Sequence, residues 1–191
     1  GPCRSAERLA RGRARAVEQE PDLILLTGDF LTMESKGSPG ALAASLAPLK
    51  AMPGQVFACL GNHDHEDLEE VYEGLASAGV RLLVDEAVLV DTPAGPVQLL
   101  GVDFRWRERA AHLAAVCAEN PRVEGALRLM LLHDPTAFPE VPPGEADLAL
   151  SGHTHGGQVG LVTRWFSWTP VWNVIRMPDH GLFARGRDRL Y

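Results

Sequence analysis

The feature that most constrains the fold is a series of short, continuous apolar runs that alternate with segments of helical spacing. Four such runs occupy residues 22–27, 55–60, 127–132 and 147–150. Continuous apolar runs of this length are typical of parallel strands that are buried on both faces. Helical spacing is found over residues 5–20, 41–51, 67–78 and 107–118. This alternation predicts an α/β fold.

Three further strand candidates lie in the middle of the chain. They cover residues 80–84, 87–90 and 97–102, and the Pro- and Gly-containing turn at 93–96 predicts a hairpin between the last two. With 191 residues and no obvious linker or internal repeat, the chain is expected to form one domain, 1–191.

A polar cluster follows each of the four apolar runs directly. The clusters are Gly28-Asp29, Gly61-Asn62-His63-Asp64, His133-Asp134 and Gly152-His153-Thr154-His155-Gly156-Gly157. Because the carboxyl ends of parallel strands meet at one crevice, these side chains are expected to lie together. Taken singly, the first three clusters also fit an ordinary turn, a helix cap or a surface histidine, whereas His153 and His155, two residues apart on an extended segment, point the same way. Their repetition at strand ends favours a shared site.

The donor set of these clusters combines carboxylate and amide oxygens with imidazole nitrogens and contains no sulfur. Such a set suits catalytic Mn²⁺, Fe²⁺ or Zn²⁺ better than a closed structural zinc site, which normally includes cysteine. A carboxylate such as Asp29 can also bridge two cations, an arrangement used for displacement at phosphorus. The sequence therefore predicts a hydrolytic metal centre.

Charge and hydropathy exclude other classes of protein. The formal charge is −7, and lysine occurs only at Lys36 and Lys50, so nucleic acid is not an expected partner. No stretch reaches the roughly 18 apolar residues of a membrane span, and the chain itself is expected to be soluble. This expectation does not locate the parent protein.

The motifs GDFL, GNHD, HDP and GHTH resemble those of the calcineurin-like metallophosphoesterases. The longer strings PDLILLTGDF, LGNHDH and LSGHTHGGQ are similar to a bacterial membrane-associated branch, some of whose members cleave UDP-2,3-diacylglucosamine. The resemblance implies a four-layer αββα sandwich and hydrolysis of a phosphodiester, pyrophosphate or phosphomonoester by two divalent ions with a bridging hydroxide. It also implies a membrane-associated or cytoplasmic bacterial protein.

The resemblance assigns the metal ligands by matching position. Asp29 would bridge both ions, Asn62, His133 and His153 would complete the second site, and His155 would serve the first site. The family's first motif, Asp-x-His, does not occur before Asp29, and residues 181–191 look like the approach to a last strand that is cut off. Two explanations stay open: an internal fragment of a longer enzyme, truncated at both ends, or a degenerate, non-enzymatic relative. In either case this chain is expected to hold one metal well.

The resemblance also assigns residues that face the substrate. His63 would stabilise or protonate the leaving group, and Asp64 would orient its imidazole. The tryptophan-rich segment 165–172 offers Trp165 and Trp168 as an apolar wall for a lipid-linked substrate, although they could equally cover the sheet. The expected partner is a small phosphorylated substrate.

Overall fold

The computed structural model describes residues 2–31, 40–157, 160–162 and 167–191. Its α-helices within these ranges are α1 (Pro2–Val17), α2 (Ala41–Leu46), α3 (Leu68–Ser77) and α4 (Arg109–Glu119). One 3-10 helix, Ala47–Ala51, directly follows α2, and three others follow strands, at Asp64–Glu66, Pro135–Glu140 and His155–Gly157. One π-helical turn covers Val171–Ile175.

The first sheet is wholly parallel and contains β1 (Ile24–Leu26), β2 (Val56–Ala58) and β3 (Arg81–Leu82), in that order. Side chains of α2 and α3, such as Leu46 and Leu75, are buried against this sheet in one apolar cluster. The three strands are shorter than the predicted runs, because the backbone pairing between them covers only three residues of β1 and β2 and two residues of β3.

The second sheet contains β4 (Glu86–Thr92), β5 (Gly95–Val102), β6 (Leu127–Leu132), β7 (Leu148–Leu150), β10 (Phe183–Arg185) and β11 (Asp188–Leu190). These six strands lie in the order β10-β11-β7-β6-β5-β4. Strands β5, β6 and β7 are parallel, whereas β4 and β5 form the predicted hairpin. A separate pair, β8 (Leu161–Val162) and β9 (Ser167–Trp168), is antiparallel.

Apolar side chains from both sheets meet in a single cluster. Phe57 of β2 and Leu83 pack with Val97 and Leu99 of β5. On the outer side of the second sheet, α4 and the 3-10 helix at 135–140 cover a further cluster. The layers are therefore helix, sheet, sheet and helix, which confirms the four-layer sandwich.

The carboxyl-terminal segment, whose sequence predicts the approach to a last strand, adds two strands to the second sheet. Residues 183–190 form the hairpin β10–β11, and β11 pairs in parallel with β7. The buried Asp188 carboxylate fixes this hairpin, because it accepts hydrogen bonds from the backbone N–H groups of Gly144 and Ala146 at 3.0 and 3.2 Å. The sequence pattern did not show these contacts, which join distant segments.

Candidate metal centre

The carboxyl ends of β1, β2, β6 and β7 bring the predicted ligands together. Asp29, His133 and His153 each offer a ligand atom, and these atoms lie within 4.8 Å of one another. The Oδ1 atom of Asn62 is 3.2 Å from Nε2 of His133, and Oδ2 of Asp29 is also 3.2 Å from that nitrogen. Four residues that are far apart in sequence thus share one site.

The buried His133 ring is oriented by the backbone of the first sheet. Its Nδ1 lies 2.5 Å from the carbonyl oxygen of Thr27, so Nδ1–H donates this hydrogen bond. Nε2 therefore faces the oxygens of Asp29 and Asn62 and is available as a ligand. A ligating histidine commonly donates its other ring N–H to a backbone carbonyl in this way.

Electrostatics at this pair favour a bound cation. Burial alone would lower the pKa of His133, but hydrogen bonds to Asp29 and to the Thr27 carbonyl outweigh burial and raise that pKa. Burial would raise the pKa of Asp29, yet the hydrogen bond to His133 and the N–H of His63 lower it. The site thus attracts positive charge, which either a proton or a metal ion can supply.

His153 adds a nitrogen that has no hydrogen-bond partner. Its Nδ1 is buried without a partner among the described residues, and burial together with the nearby His133 lowers the pKa of this imidazole. The backbone at His153 has φ of 64°, an uncommon left-handed conformation that aims the side chain into the site. An orphaned ring nitrogen, a carboxylate, an amide oxygen and a second imidazole fit a divalent cation.

Two glycines make this convergence possible. A Cβ on Gly61 would lie 2.4 Å from Oδ1 of Asp29 and 2.8 Å from Cε1 of His133. Gly28 has φ of 87°, and a Cβ there would lie 2.4 Å from the nitrogen of Gly61. The loops after β1 and β2 approach closely because neither position carries a side chain.

Asp64 does not have the role expected for it. Its fully buried carboxylate accepts hydrogen bonds from the backbone N–H groups of Phe30 and Leu31 at 2.6 and 3.2 Å, and from those of Asp29 and Gly61 at 2.9 and 2.8 Å. Burial raises the pKa of this carboxyl group, while the backbone donors oppose the shift. Asp64 therefore clamps the loops after β1 and β2 together, and it does not orient His63.

Glu66 instead lies beside the exposed His63 ring, with Oε1 2.7 Å from Nδ1. The backbone N–H of His63 donates to Oδ1 of Asp29 at 3.0 Å, so His63 stands directly beside the metal ligands. Sequence reasoning missed Glu66. Its spacing of three residues from His63, within a turn of helix, was the available signal.

The last predicted metal ligand, His155, lies at a cleft next to this group. His153 and His155 line a cavity of about 430 Å³ together with apolar residues that include Val171, Ile175 and Met177. His155 is exposed and has φ of 52°. It is not part of the ligand group described above.

Of the two tryptophans predicted to form an apolar wall, Trp168 lies among the described residues. Trp168 is on β9 and is 43% exposed, whereas Trp165 lies outside the described residues. The structure shows another aromatic pair at the site that sequence reasoning missed. Phe104 packs 5.9 Å from the His133 ring and 4.6 Å from Trp106, measured between centroids.

Residues 4–157 match the model of a protein family that is described as calcineurin-like phosphoesterase. The phosphodiesterase YaeI of Escherichia coli is 37% identical over 93% of this chain and 64% of its own length. The UDP-2,3-diacylglucosamine pyrophosphatase LpxG of Chlamydia muridarum is 25% identical over 87% of this chain and 63% of its own length. The chain thus spans less than two thirds of these relatives.

Among solved structures, the NAD nucleotidase NadN of Haemophilus influenzae resembles this chain with a TM-score of 0.54. The identity is 15%, and the match covers 77% of this chain and 32% of that protein. At this identity the likeness concerns the fold. The helices of the described residues include none long and apolar enough to cross a bilayer.

Proposed function

The chain belongs to the calcineurin-like phosphoesterases, and from this premise we propose that it hydrolyses phosphate esters at a metal centre held by Asp29, Asn62, His133 and His153. The observation that carries the proposal is the convergence of four metal-ligating side chains on one point. Oδ2 of Asp29 and Oδ1 of Asn62 each lie 3.2 Å from Nε2 of His133. His153 belongs to the same group, and its Nδ1 is buried without a partner among the described residues.

A divalent cation bound there would supply Lewis acidity at phosphorus and activate water. The protein's own residues position the reactants. His63 is exposed and is tied through its backbone to Asp29, so its imidazole can reach the leaving oxygen of a bound ester and protonate it. Glu66 holds Nδ1 of that ring, which directs Nε2 toward the substrate.

We extend the proposal to a second ion, with Asp29 as the shared ligand and His155 as a further one. His155 lines the same cleft as His153 and has a left-handed backbone, as Asp29 and His153 do. Mn²⁺, Fe²⁺ and Zn²⁺ all suit this mixture of oxygen and nitrogen donors. The described ligand group accounts for one ion, so we expect the 191-residue chain to hold one ion tightly.

The substrate we propose carries an apolar group. The cleft next to His153 is lined mostly by apolar side chains, and Ile175 among them is 59% exposed. Exposed apolar groups of this kind favour a lipid-linked phosphate ester and contact with a membrane surface. The Chlamydia relative named as acting on a diacylated nucleotide sugar supports the same class.

Metal content and turnover of the 191-residue chain test the metal centre. We expect one tightly bound Mn²⁺ or Zn²⁺ per chain by elemental analysis, and hydrolysis of bis(p-nitrophenyl) phosphate that chelation removes. Asp29→Asn and His153→Ala should lose both the ion and the activity. The control Asp91→Asn, at an exposed edge-strand position, should keep both. Hydrolysis that survives removal of the ion from His153→Ala would contradict the proposal.

The lipid-linked substrate has a separate test. Trp168→Ala and Ile175→Ala should reduce kcat/KM for an acylated phosphodiester by more than they reduce it for bis(p-nitrophenyl) phosphate. Tyr72→Ala, which removes an exposed aromatic ring from α3, is the matched control. Equal losses on both substrates would mean that the cleft stabilises the fold and does not bind an acyl chain.

One observation favours a second candidate function, in which the chain is a degenerate relative of the phosphoesterases that binds one metal ion and does not hydrolyse esters. His155 stands apart from the ligand group formed by Asp29, His133 and His153. This alternative predicts one bound ion and no turnover of any ester, and His63→Ala would then change neither property.

A further inference from the structure

The two imidazoles of the ligand group are held in different ways. Nδ1 of His133 donates to the carbonyl oxygen of Thr27 at 2.5 Å, which fixes that ring. His153 lacks such a bond, because its Nδ1 is buried without a partner in the part of the chain that the structure describes. The orientation of the His153 ring therefore depends on its packing.

Two aromatic rings from the loop after β5 pack against His153. The centroid of its imidazole lies 6.2 Å from that of Phe104 and 6.3 Å from that of Trp106. Phe104 and Trp106 meet edge to face, with centroids 4.6 Å apart and an interplanar angle of 86°. The three rings thus contact one another pairwise, at separations within the range of about 4.5–7 Å over which aromatic pairs attract.

The two rings differ in burial. Phe104 is 8% exposed and also meets the His133 ring edge to face, with centroids 5.9 Å apart. Trp106 is 71% exposed, although an exposed indole loses the free energy that burial of its apolar surface would provide. Its ring contacts within the described residues are Phe104 and His153. Phe104 therefore supports both imidazoles, whereas Trp106 contacts only that of His153.

Packing of this kind matters more for His153 than for His133. His153 lies beyond the end of β7, in a left-handed backbone conformation with φ of 64°. Rotation about the bond to an imidazole ring has only a broad torsional preference, so a ring without a hydrogen bond samples several orientations. A ring that is fixed before binding spares the metal ion the entropy cost of ordering it.

We propose that Phe104 and Trp106 are positioning residues of the metal centre, whose rings hold the His153 imidazole in the orientation in which it ligates the ion. Their packing does for His153 what the Thr27 carbonyl oxygen does for His133. Neither side chain carries an atom that ligates a divalent cation of this kind, so both act through His153. The inference rests on the proposed phosphoesterase function, because that function requires the ion.

Ring mobility in the metal-free chain tests the inference without an ion and without turnover. We expect NMR order parameters of the imidazole C–H groups to fall for His153 in Trp106→Ala and to stay unchanged for His133, which keeps its bond to Thr27. Trp106→Phe retains a ring and should restore the order of His153. Because Trp106 is exposed, both variants should fold, and the rest of the spectrum verifies this.

Calorimetry with Mn²⁺ measures the consequence for binding. Trp106→Ala should weaken Mn²⁺ binding roughly 2- to 10-fold, as expected for the loss of one aromatic contact, and Trp106→Phe should bind within about twofold of wild type. Phe104→Leu keeps an apolar side chain at the buried position but removes the ring, and it should weaken binding by at least the same factor. Tyr72→Ala removes an exposed ring from α3 and should change neither ring order nor affinity.

Unchanged order of the His153 ring in Trp106→Ala, an equal loss of order at His133, or unchanged Mn²⁺ affinity would each overturn the inference. Hydrolysis of bis(p-nitrophenyl) phosphate is scored separately. A chain that binds Mn²⁺ but hydrolyses nothing contradicts the phosphoesterase function, while an affinity that depends on Trp106 in that chain still supports the positioning role. An active chain whose His153 order and Mn²⁺ affinity do not depend on Trp106 contradicts the positioning role alone.

Discussion

Replacing Asp64 with asparagine keeps the shape of the side chain but removes its charge and turns one acceptor oxygen into an NH₂ donor. Each carboxylate oxygen of Asp64 now accepts two backbone N–H groups, and the residue is fully buried. The amide can satisfy only two of these four donors. The other two would face the NH₂ group and lose their partner, and water cannot replace it at a buried position.

The size of the effect follows from these contacts. A hydrogen bond to a charged group contributes about 1.5–3 kcal/mol, so the loss of two gives about 3–6 kcal/mol. That amount is a large part of the roughly 5–15 kcal/mol that stabilises a typical domain. For a domain of this size, Asp64→Asn should lower Tm by roughly 6 to 24 °C.

Urea unfolding of the metal-free chain, followed by circular dichroism, measures this loss. Glu66→Gln is the matched control, because it also converts an acid to an amide but at an exposed position beside His63. Its free energy of unfolding should change by less than about 0.5 kcal/mol. If the free energy of unfolding of Asp64→Asn lay within about 1 kcal/mol of the wild-type value, Asp64 would not clamp the two loops. The original prediction, that Asp64 orients His63, would then stand again.

Three further outcomes are expected. Gly61→Ala should abolish metal binding measured by calorimetry, because the new Cβ would lie 2.8 Å from Cε1 of His133. The control Gly12→Ala, which adds a Cβ in open space on α1, should bind the metal normally. Normal metal binding by Gly61→Ala would contradict the described packing. Glu66→Gln should slow the hydrolysis of alkyl esters roughly tenfold or more and that of nitrophenyl esters less, because Glu66 holds His63 and a proton donor matters most for poor leaving groups. Equal effects on both kinds of ester would exclude a role of His63 in protonating the leaving group. Metal affinity should fall as the pH is lowered, since the raised pKa of His133 lets protons compete with the metal at a higher pH than for an ordinary histidine. An affinity that does not change between pH 8 and pH 5.5 would exclude His133 as a ligand.

Local patterns predicted a large part of the fold. The run at 127–132 is strand β6 at the predicted bounds, and the turn at 93–96 lies within the β4–β5 hairpin. The predicted strand at 80–84 shrinks to Arg81–Leu82, because pairing with β2 covers only two residues. Strand length depends on partners, which periodicity along one segment does not reveal.

The ligand group could also be predicted, and the reason is topological. Asp29, His133 and His153 each follow an apolar run, and parallel strands bring such positions to one edge. The partner of His63 could not be predicted, since Asp64 and Glu66 both lie close to it in sequence. The choice depends on four backbone N–H groups that converge on Asp64 from two loops.

The sequence by itself determined the kind of site: which residue types follow which strands, and therefore a candidate metal centre of the calcineurin-like phosphoesterase family. Only the tertiary structure decided how those residues act. The hydrogen bond from His133 to Thr27 joins positions 106 residues apart and leaves Nε2 of that ring facing Asp29 and Asn62. The contact between the Trp106 and His153 rings, 6.3 Å between centroids, likewise joins the loop after β5 to the loop after β7. Such long-range contacts depend on how the layers pack, and no short segment of the sequence contains that information.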